Sequence, residues 1–191
     1  MNCQELSEKA YQIAFQFERD YGSCSQATLK ALQDVFQSND SLLFRAAGAF
    51  TGGGACEGDG SCGAFAAAAL FIGTICGRDW QDIGSDASDP AANRAHELQW
   101  KLVRELHHRF IQQYGSIVCH QIQRNLFGRP FYTVDPDQLE KLLEAGGHDW
   151  ACTSVAGNAA RWTAELLYDI CFGTKLNKIH ESFGTKEEKT M

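Results

Sequence analysis

Proline is scarce in this chain of 191 residues: three in all. Little in the composition therefore interrupts long helices. A basic run is missing too. Lys and Arg number 17 against 24 Asp and Glu, giving a formal net charge of -7 and an isoelectric point near 5.3. A phosphate-binding surface concentrates Lys and Arg, so nucleic acid is excluded as the expected partner, and an anionic membrane surface with it. No apolar run is long enough for a bilayer. The most apolar stretch, Ala64 to Cys76, is short and rich in Ala and Gly. The N-terminal segment carries Gln4, Glu5 and Glu8 where a signal peptide has a basic start and an apolar run. The expected compartment is the cytoplasm. Strand-like alternation is absent except over Phe131 to Val134. No HExxH, GxSxG, CxxC or nucleotide-binding GKS/GKT appears.

What remains is helical. Leu6, Ala10, Ile13, Ala14 and Phe17 form a stripe at helical spacing, stopped by Gly22. Ser23 with Gln26 fits a capping box for a second helix through Ala27, Ala31 and Val35. Asp40 opens a short third one. Thr51 to Ala64, TGGGACEGDGSCGA, has no period and reads as a Gly-rich loop. The Ala-rich helix after it, to about Cys76, is expected at the centre, because its small residues allow close approach. Asp79 to Ser88 reads as a polar loop. Asp89-Pro90 starts a helix that Gly115 stops. Ser116 opens the next, ended by Gly128; Asp135-Pro136 opens another, ended by Gly146 and Gly147; Asp149 caps the last. The expected fold is an all-α single-domain helical bundle of about seven or eight helices over residues 1–180, followed by a polar, disordered tail at 181–191.

The chain holds eight cysteines. In a reducing compartment these point to metal binding, redox chemistry or core packing rather than structural disulfides. Four of them, Cys24, Cys62, Cys119 and Cys152, fall in the first turns of four separate expected helices. A helix N-terminus carries partial positive charge and unpaired N–H groups. It stabilises a thiolate and lowers a thiol pKa, so this placement marks reactive or ligating sulfurs. Cys76 and Cys171 read as core and Cys3 as incidental. Cys56, six residues before Cys62, is placed to act as a resolving thiol or an extra ligand.

YGSCSQATLKAL at Tyr21 to Leu32, FTGGGACEGDGSCGAFAAAALFIG at Phe50 to Gly73, YGSIVCHQIQRNLFG at Tyr114 to Gly128 and CTSVAGNAARWTAELL at Cys152 to Leu167 resemble, in order, the segments of the family named for its C–GCAxxG–C–C cysteine pattern. The resemblance implies a redox role and four characteristic cysteines, which fall on Cys24, Cys62, Cys119 and Cys152. A related domain in split-Soret cytochromes, where haem accompanies an iron–sulfur centre, makes an iron–sulfur cluster the leading expected cofactor. The chain departs from the pattern at Ala67, where the motif has glycine. SIVCH at Ser116 to His120 has serine where haem attachment through CxxCH needs cysteine, so no covalent haem is expected.

The main expectation is an iron–sulfur cluster ligated by Cys24, Cys62, Cys119 and Cys152, used in electron transfer. A second is metal-free thiol–disulfide exchange, with Cys24 or Cys62 as the catalytic nucleophile and Cys56 or Cys62 resolving. A third is a zinc site on the cysteines, with His120 or His148 substituting, in a structural or partner-binding module. The redox partner, protein or small molecule, is unnamed by the sequence. A homodimer is compatible with the small-residue helices.

Overall fold

The computed structural model describes residues 1–83 and 90–173. The expected tail at 181–191, Asp89 as a helix cap and the second half of the loop toward Ser88 lie outside the described residues. Helix α1, Cys3–Tyr21, starts with a reciprocal cap. Asn2 Oδ1 accepts from the Glu5 N–H at 2.9 Å, and Glu5 Oε2 accepts from the Asn2 N–H at 3.0 Å. It ends at Gly22, whose φ of 64° only glycine adopts readily and whose N–H closes on the Glu18 carbonyl at 2.8 Å. Its inward face runs Leu6, Ala10, Ala14, Glu18, one residue per turn.

Helix α2, Cys24–Val35, begins where expected, but the capping box does not form. Ser23 Oγ instead meets Gln26 Oε1 and Thr51 Oγ1, each at 3.0 Å, which ties the helix start to the glycine loop. Helix α3, Ser41–Ala47, is capped by Asp40, which accepts from the Leu43 N–H at 2.9 Å. Helix α4, Gly63–Cys76, takes Cys62 as its N-cap. Helix α5 spans Pro90–Tyr114, α6 Cys119–Phe127, α7 Pro136–Glu144 and α8 Cys152–Phe172.

Two expected starts shift. Ser116 does not cap α6 directly. Its Oγ accepts from the Val118 N–H at 3.0 Å in a turn that delays the helix to Cys119. Asp149 does not cap α8 either. It lies inside a single π-type turn, Gly147–Ala151, launched by Gly146 at φ 90° and running straight into α8. The Asp149 carboxylate instead pairs with Arg19 at 3.1 Å on the surface.

The result is an all-α single-domain bundle of eight helices, with no sheet among the described residues. Phe131 to Val134, the one strand-like run, forms no strand, and Phe131 is buried. Helices α2, α4 and α8 meet at the centre. α1 lies along α8 and α2, and α5 along α4 and α8. The Ala-rich α4 thus shares the centre with α2 rather than holding it alone. The core is built from Ala27, Leu29, Ala31 and Leu32 of α2, Ala64, Ala67, Phe71 and Ile72 of α4, and Ala156, Ala160, Ala164 and Leu167 of α8. The α1–α8 contact is close because α8 presents a glycine to it. A β-carbon on Gly157 would lie 2.7 Å from Tyr11 Cδ2. No helix among the described residues is long and apolar enough to cross a membrane.

Candidate functional site

The glycine loop is held in place by its own backbone. Gly52, Gly53, Gly54 and Gly58 all sit at positive φ, as do Ala55 and Cys56. Within the loop, Cys56 N–H donates to the Thr51 carbonyl at 2.9 Å, Gly58 N–H to Gly52 at 2.9 Å and Gly60 N–H to Gly53 at 3.0 Å. The far arm of the loop then zips onto the start of α6. Cys62 N–H donates to the Ile117 carbonyl at 2.7 Å, Cys119 N–H to Gly60 at 3.0 Å and His120 N–H to Gly58 at 2.8 Å. This pairing fixes Cys62 and Cys119 beside each other in space, although 57 residues separate them in the sequence. The glycines also make room. A β-carbon on Gly53 would stand 2.8 Å from Cys119 Cβ, and one on Gly63 would stand 2.7 Å from Cys24 Sγ.

The helix starts converge on one cavity of about 430 Å³. Cys24, Cys62, Cys119 and Cys152 line it, joined by Cys56 from the loop. Glu18 and Gly22 from the end of α1, Ile122 and Gln123 from α6, Leu142 from α7 and His148 from the π turn complete the wall. Cys24, Cys119 and Cys152 are the first residues of α2, α6 and α8, and Cys62 is the cap of α4. All eight cysteines are free thiols.

The electrostatics run opposite to the expectation drawn from helix starts. The hydrogen bond between the Cys24 and Cys62 thiols, followed by burial, pushes the Cys24 pKa well above that of an ordinary thiol. Backbone N–H groups of Gly52 and Ala64 aimed at the Cys24 sulfur offset this only in part. Burial, followed by the repulsion of Cys24, Cys56 and Glu18, lifts Cys119 to about 12. Burial, Glu18 and the other thiols raise Cys152 well above the usual range. Desolvation and like-charge neighbours therefore outweigh the helix N-termini. At Cys152 the π turn continues the helix backwards, so the residue is not at a free helix end.

This corrects the expected cofactor. Among the described residues, no group of three or more His, Cys, Asp and Glu side chains stands in an arrangement that could hold a metal ion. The four cysteines share a cavity but are not disposed as a ligand set. The iron–sulfur cluster on Cys24, Cys62, Cys119 and Cys152 is overturned, as is a zinc ion on the same set. The histidines do not complete a site either. His120 Nε2 pairs with the Phe131 carbonyl at 3.1 Å, and its ring fills the space beside Gly58, where a β-carbon would meet it. His148 packs over Gly22, and burial lowers its pKa.

The residue that sequence reading missed is Glu18. Its side chain is almost wholly buried against the cavity, and Oε2 meets no hydrogen-bond partner among the described residues. Burial and then the Cys24 sulfur push its pKa well above the carboxylate range, with only the Ser23 backbone N–H pulling the other way. Oε1 faces His148 Nε2 at 3.9 Å. Burial drives both groups toward their neutral forms, which weakens any ion pairing between them. The signal lay in the spacing. Glu18 continues the Leu6–Ala10–Ala14 stripe by one further turn, onto the buried face.

Away from the cavity, Cys76 is buried at the end of α4 and Cys171 packs against the core, in line with their reading as packing residues.

No curated protein and no solved structure matches the chain significantly. One family model does, described as "Putative redox-active protein (C_GCAxxG_C_C)", over residues 22–166. The match runs from the start of α2 through most of α8 and takes in all five cysteines of the cavity. On a match of that extent, the chain belongs to the redox-active C_GCAxxG_C_C family.

Proposed function

We propose that the protein performs metal-free thiol–disulfide exchange, an oxidoreductase activity in which Cys24 and Cys62 cycle between dithiol and disulfide. The observation that carries this reading is the packing of the Cys24 sulfur onto the start of α4 beside Cys62, where a β-carbon on Gly63 would lie 2.7 Å from it. Two cysteines at adjoining helix starts on one cavity wall are placed for bond formation. Cys24 is the more exposed of the pair, while Cys62 is buried at 6% accessibility. An incoming disulfide therefore reaches Cys24 first. Its thiolate attacks one sulfur of the substrate disulfide, a mixed disulfide forms and the first substrate thiolate leaves. Cys62 then attacks Cys24 Sγ, the protein disulfide closes and the second substrate thiol is released. Two electrons pass from the protein dithiol to the substrate disulfide, and the two thiol protons end on the two product thiols. The Gly52 and Ala64 N–H groups stabilise the transient Cys24 thiolate. Cys56, Cys119 and Cys152 lie in the same cavity, and Cys56 is the alternative resolving thiol. A reducing cytoplasm suits a protein whose thiols rest in the reduced state. The partner is a small disulfide, or a protein that presents a disulfide to the cavity mouth.

The test is redox titration of the reduced protein against oxidised and reduced glutathione, followed by peptide mass spectrometry. The expected product is a reversible Cys24–Cys62 disulfide, abolished by Cys24→Ser and by Cys62→Ser. A protein that alkylates at Cys24 yet never forms that bond would overturn the reading.

A further inference from the structure

A buried carboxyl with an unmatched oxygen, aimed into a cavity of thiols, needs a reason. Burying such a group without a partner costs folding free energy, of order a few kcal/mol. Glu18 is 2% exposed, its Oε2 is unpartnered among the described residues, and it lines the cavity with Cys24 and Cys152. An apolar residue would continue the α1 stripe without that cost.

Each packed element presents a titratable group to Glu18. The start of α2 supplies Cys24, α6 supplies Cys119, α8 supplies Cys152 and the π turn supplies His148. On α1 itself, the neighbouring Arg19 is engaged with Asp149 at 3.1 Å, and Asp20 accepts from Gln16 Nε2 at 2.8 Å. No cation is thus committed to the carboxyl, and what faces it is sulfur, one imidazole and the Ser23 backbone N–H.

We infer that Glu18 is the proton acceptor for the Cys24 thiol, and the proton donor to the departing substrate thiolate, across the cysteine cavity. This rests on the exchange reading above and supplies what it lacks. Cys24 holds its proton more tightly than an ordinary thiol, so attack on a disulfide needs a base nearby. The ionised Glu18 carboxylate takes the Cys24 proton by way of a water in the cavity, which has the volume and the polar partners for one. The Cys24 thiolate forms the S–S bond as the substrate S–S bond breaks, and the leaving thiolate receives the proton that Glu18 holds. When Cys62 attacks in turn, its proton passes to the second leaving thiolate, so sulfur, protons and electrons all balance. His148 Nε2, 3.9 Å from Glu18 Oε1, is the more exposed of the two side chains and lies between the carboxyl and solvent.

The experiment is the pH dependence of Cys24 alkylation by iodoacetamide, followed by mass spectrometry in wild type, Glu18→Gln and Glu18→Asp. Alkylation needs the thiolate but no disulfide, so it separates this inference from the exchange reading. In wild type the rate rises through two ionisations, that of Glu18 and, at alkaline pH, that of Cys24. In Glu18→Gln the lower step vanishes, and the rate near neutral pH falls about tenfold to a hundredfold; Glu18→Asp recovers part of it. Superimposable wild-type and Glu18→Gln profiles overturn the role of Glu18 even when the Cys24–Cys62 disulfide forms. Loss of the lower step with no disulfide formed leaves Glu18 in place and removes the exchange reading. Infrared spectroscopy of the wild type gives a second check that needs no stable variant. The Glu18 carboxylic acid band is expected to disappear as pH rises through the lower step of Cys24 alkylation, and a band that persists past that step overturns the inference.

Discussion

Gly63 leaves no space for a side chain against Cys24: a β-carbon there would lie 2.7 Å from the Cys24 sulfur and 2.7 Å from the Phe50 carbonyl oxygen. The first residue of α4 is thereby packed onto the first residue of α2, and Cys24 is pressed toward Cys62. A Gly63→Ala change has to push either the thiol or the loop backbone aside. The expected cost is about 1–3 kcal/mol of unfolding free energy, as for other overpacked sites, together with slower closure of the Cys24–Cys62 disulfide. Urea unfolding and the rate of disulfide formation check both.

Removing the resolving sulfur freezes the exchange half-way. Cys62→Ser mixed with oxidised glutathione is expected to accumulate a stable mixed disulfide on Cys24, while Cys24→Ser accumulates none at Cys62, which is buried. Intact-protein mass spectrometry with peptide mapping reads the adduct. Adduct on Cys62 in the Cys24→Ser variant would reverse the order of attack.

Stability depends on pH with a sign set by the buried acids. Glu18 in the folded chain titrates well above the ordinary carboxyl value of 4.5. Between that value and its raised pKa, the folded state binds more protons than the unfolded state, and stability falls as pH rises. Its contribution is complete below pH 4.5 and is lost as pH climbs through the folded pKa. Cys119, raised from 9.0 to about 12, adds a second fall across that alkaline window. Denaturant midpoints measured across pH are expected to show the first decline in wild type and its loss in Glu18→Gln, where the lowered His148 pKa leaves stability rising toward pH 6.5.

Two aspartates that look alike in sequence are expected to behave differently. Asp40 accepts the Leu43 N–H at the start of α3, so Asp40→Ala removes a cap at a cost of about 1 kcal/mol. Asp149 caps nothing and holds only a surface ion pair with Arg19. Asp149→Ala is expected to cost about 0–1 kcal/mol, and less in high salt. Urea denaturation at two ionic strengths distinguishes them.

Gly58 and His120 form a second close pair. Gly58 has φ +83°, and a β-carbon there would overlap the His120 ring. Gly58→Ala combines backbone strain with a steric clash and is expected to loosen the loop that carries Cys56 and Cys62. Faster alkylation of Cys62 is the readout. Gly54→Ala is the control, because it shares the positive φ but meets nothing within 4 Å.

The helices were legible because their punctuation is local. Gly22, Gly115 and Gly128 stop helices at positive φ, and Asp40 and Asp135 start them, each through contacts within a few residues. Side chains with several local options were read less well. Ser23 turned to Thr51, Ser116 formed a turn before the helix, and Asp149 fell inside a π turn, since short polar side chains can satisfy more than one nearby backbone group.

By itself, the sequence determined an all-α bundle and put Cys24, Cys62, Cys119 and Cys152 at helix starts, because periodicity and capping are written in neighbouring residues. Only the tertiary structure decided what those sulfurs are. Packing gathered them around one cavity and placed Glu18 among them. A helix N-terminus favours a thiolate by a local field, whereas desolvation is set by everything that packs around the sulfur. Here the desolvation wins at Cys119 and Cys152, whose pKa values rise beside a buried acid, and the four cysteines are not disposed to hold a metal.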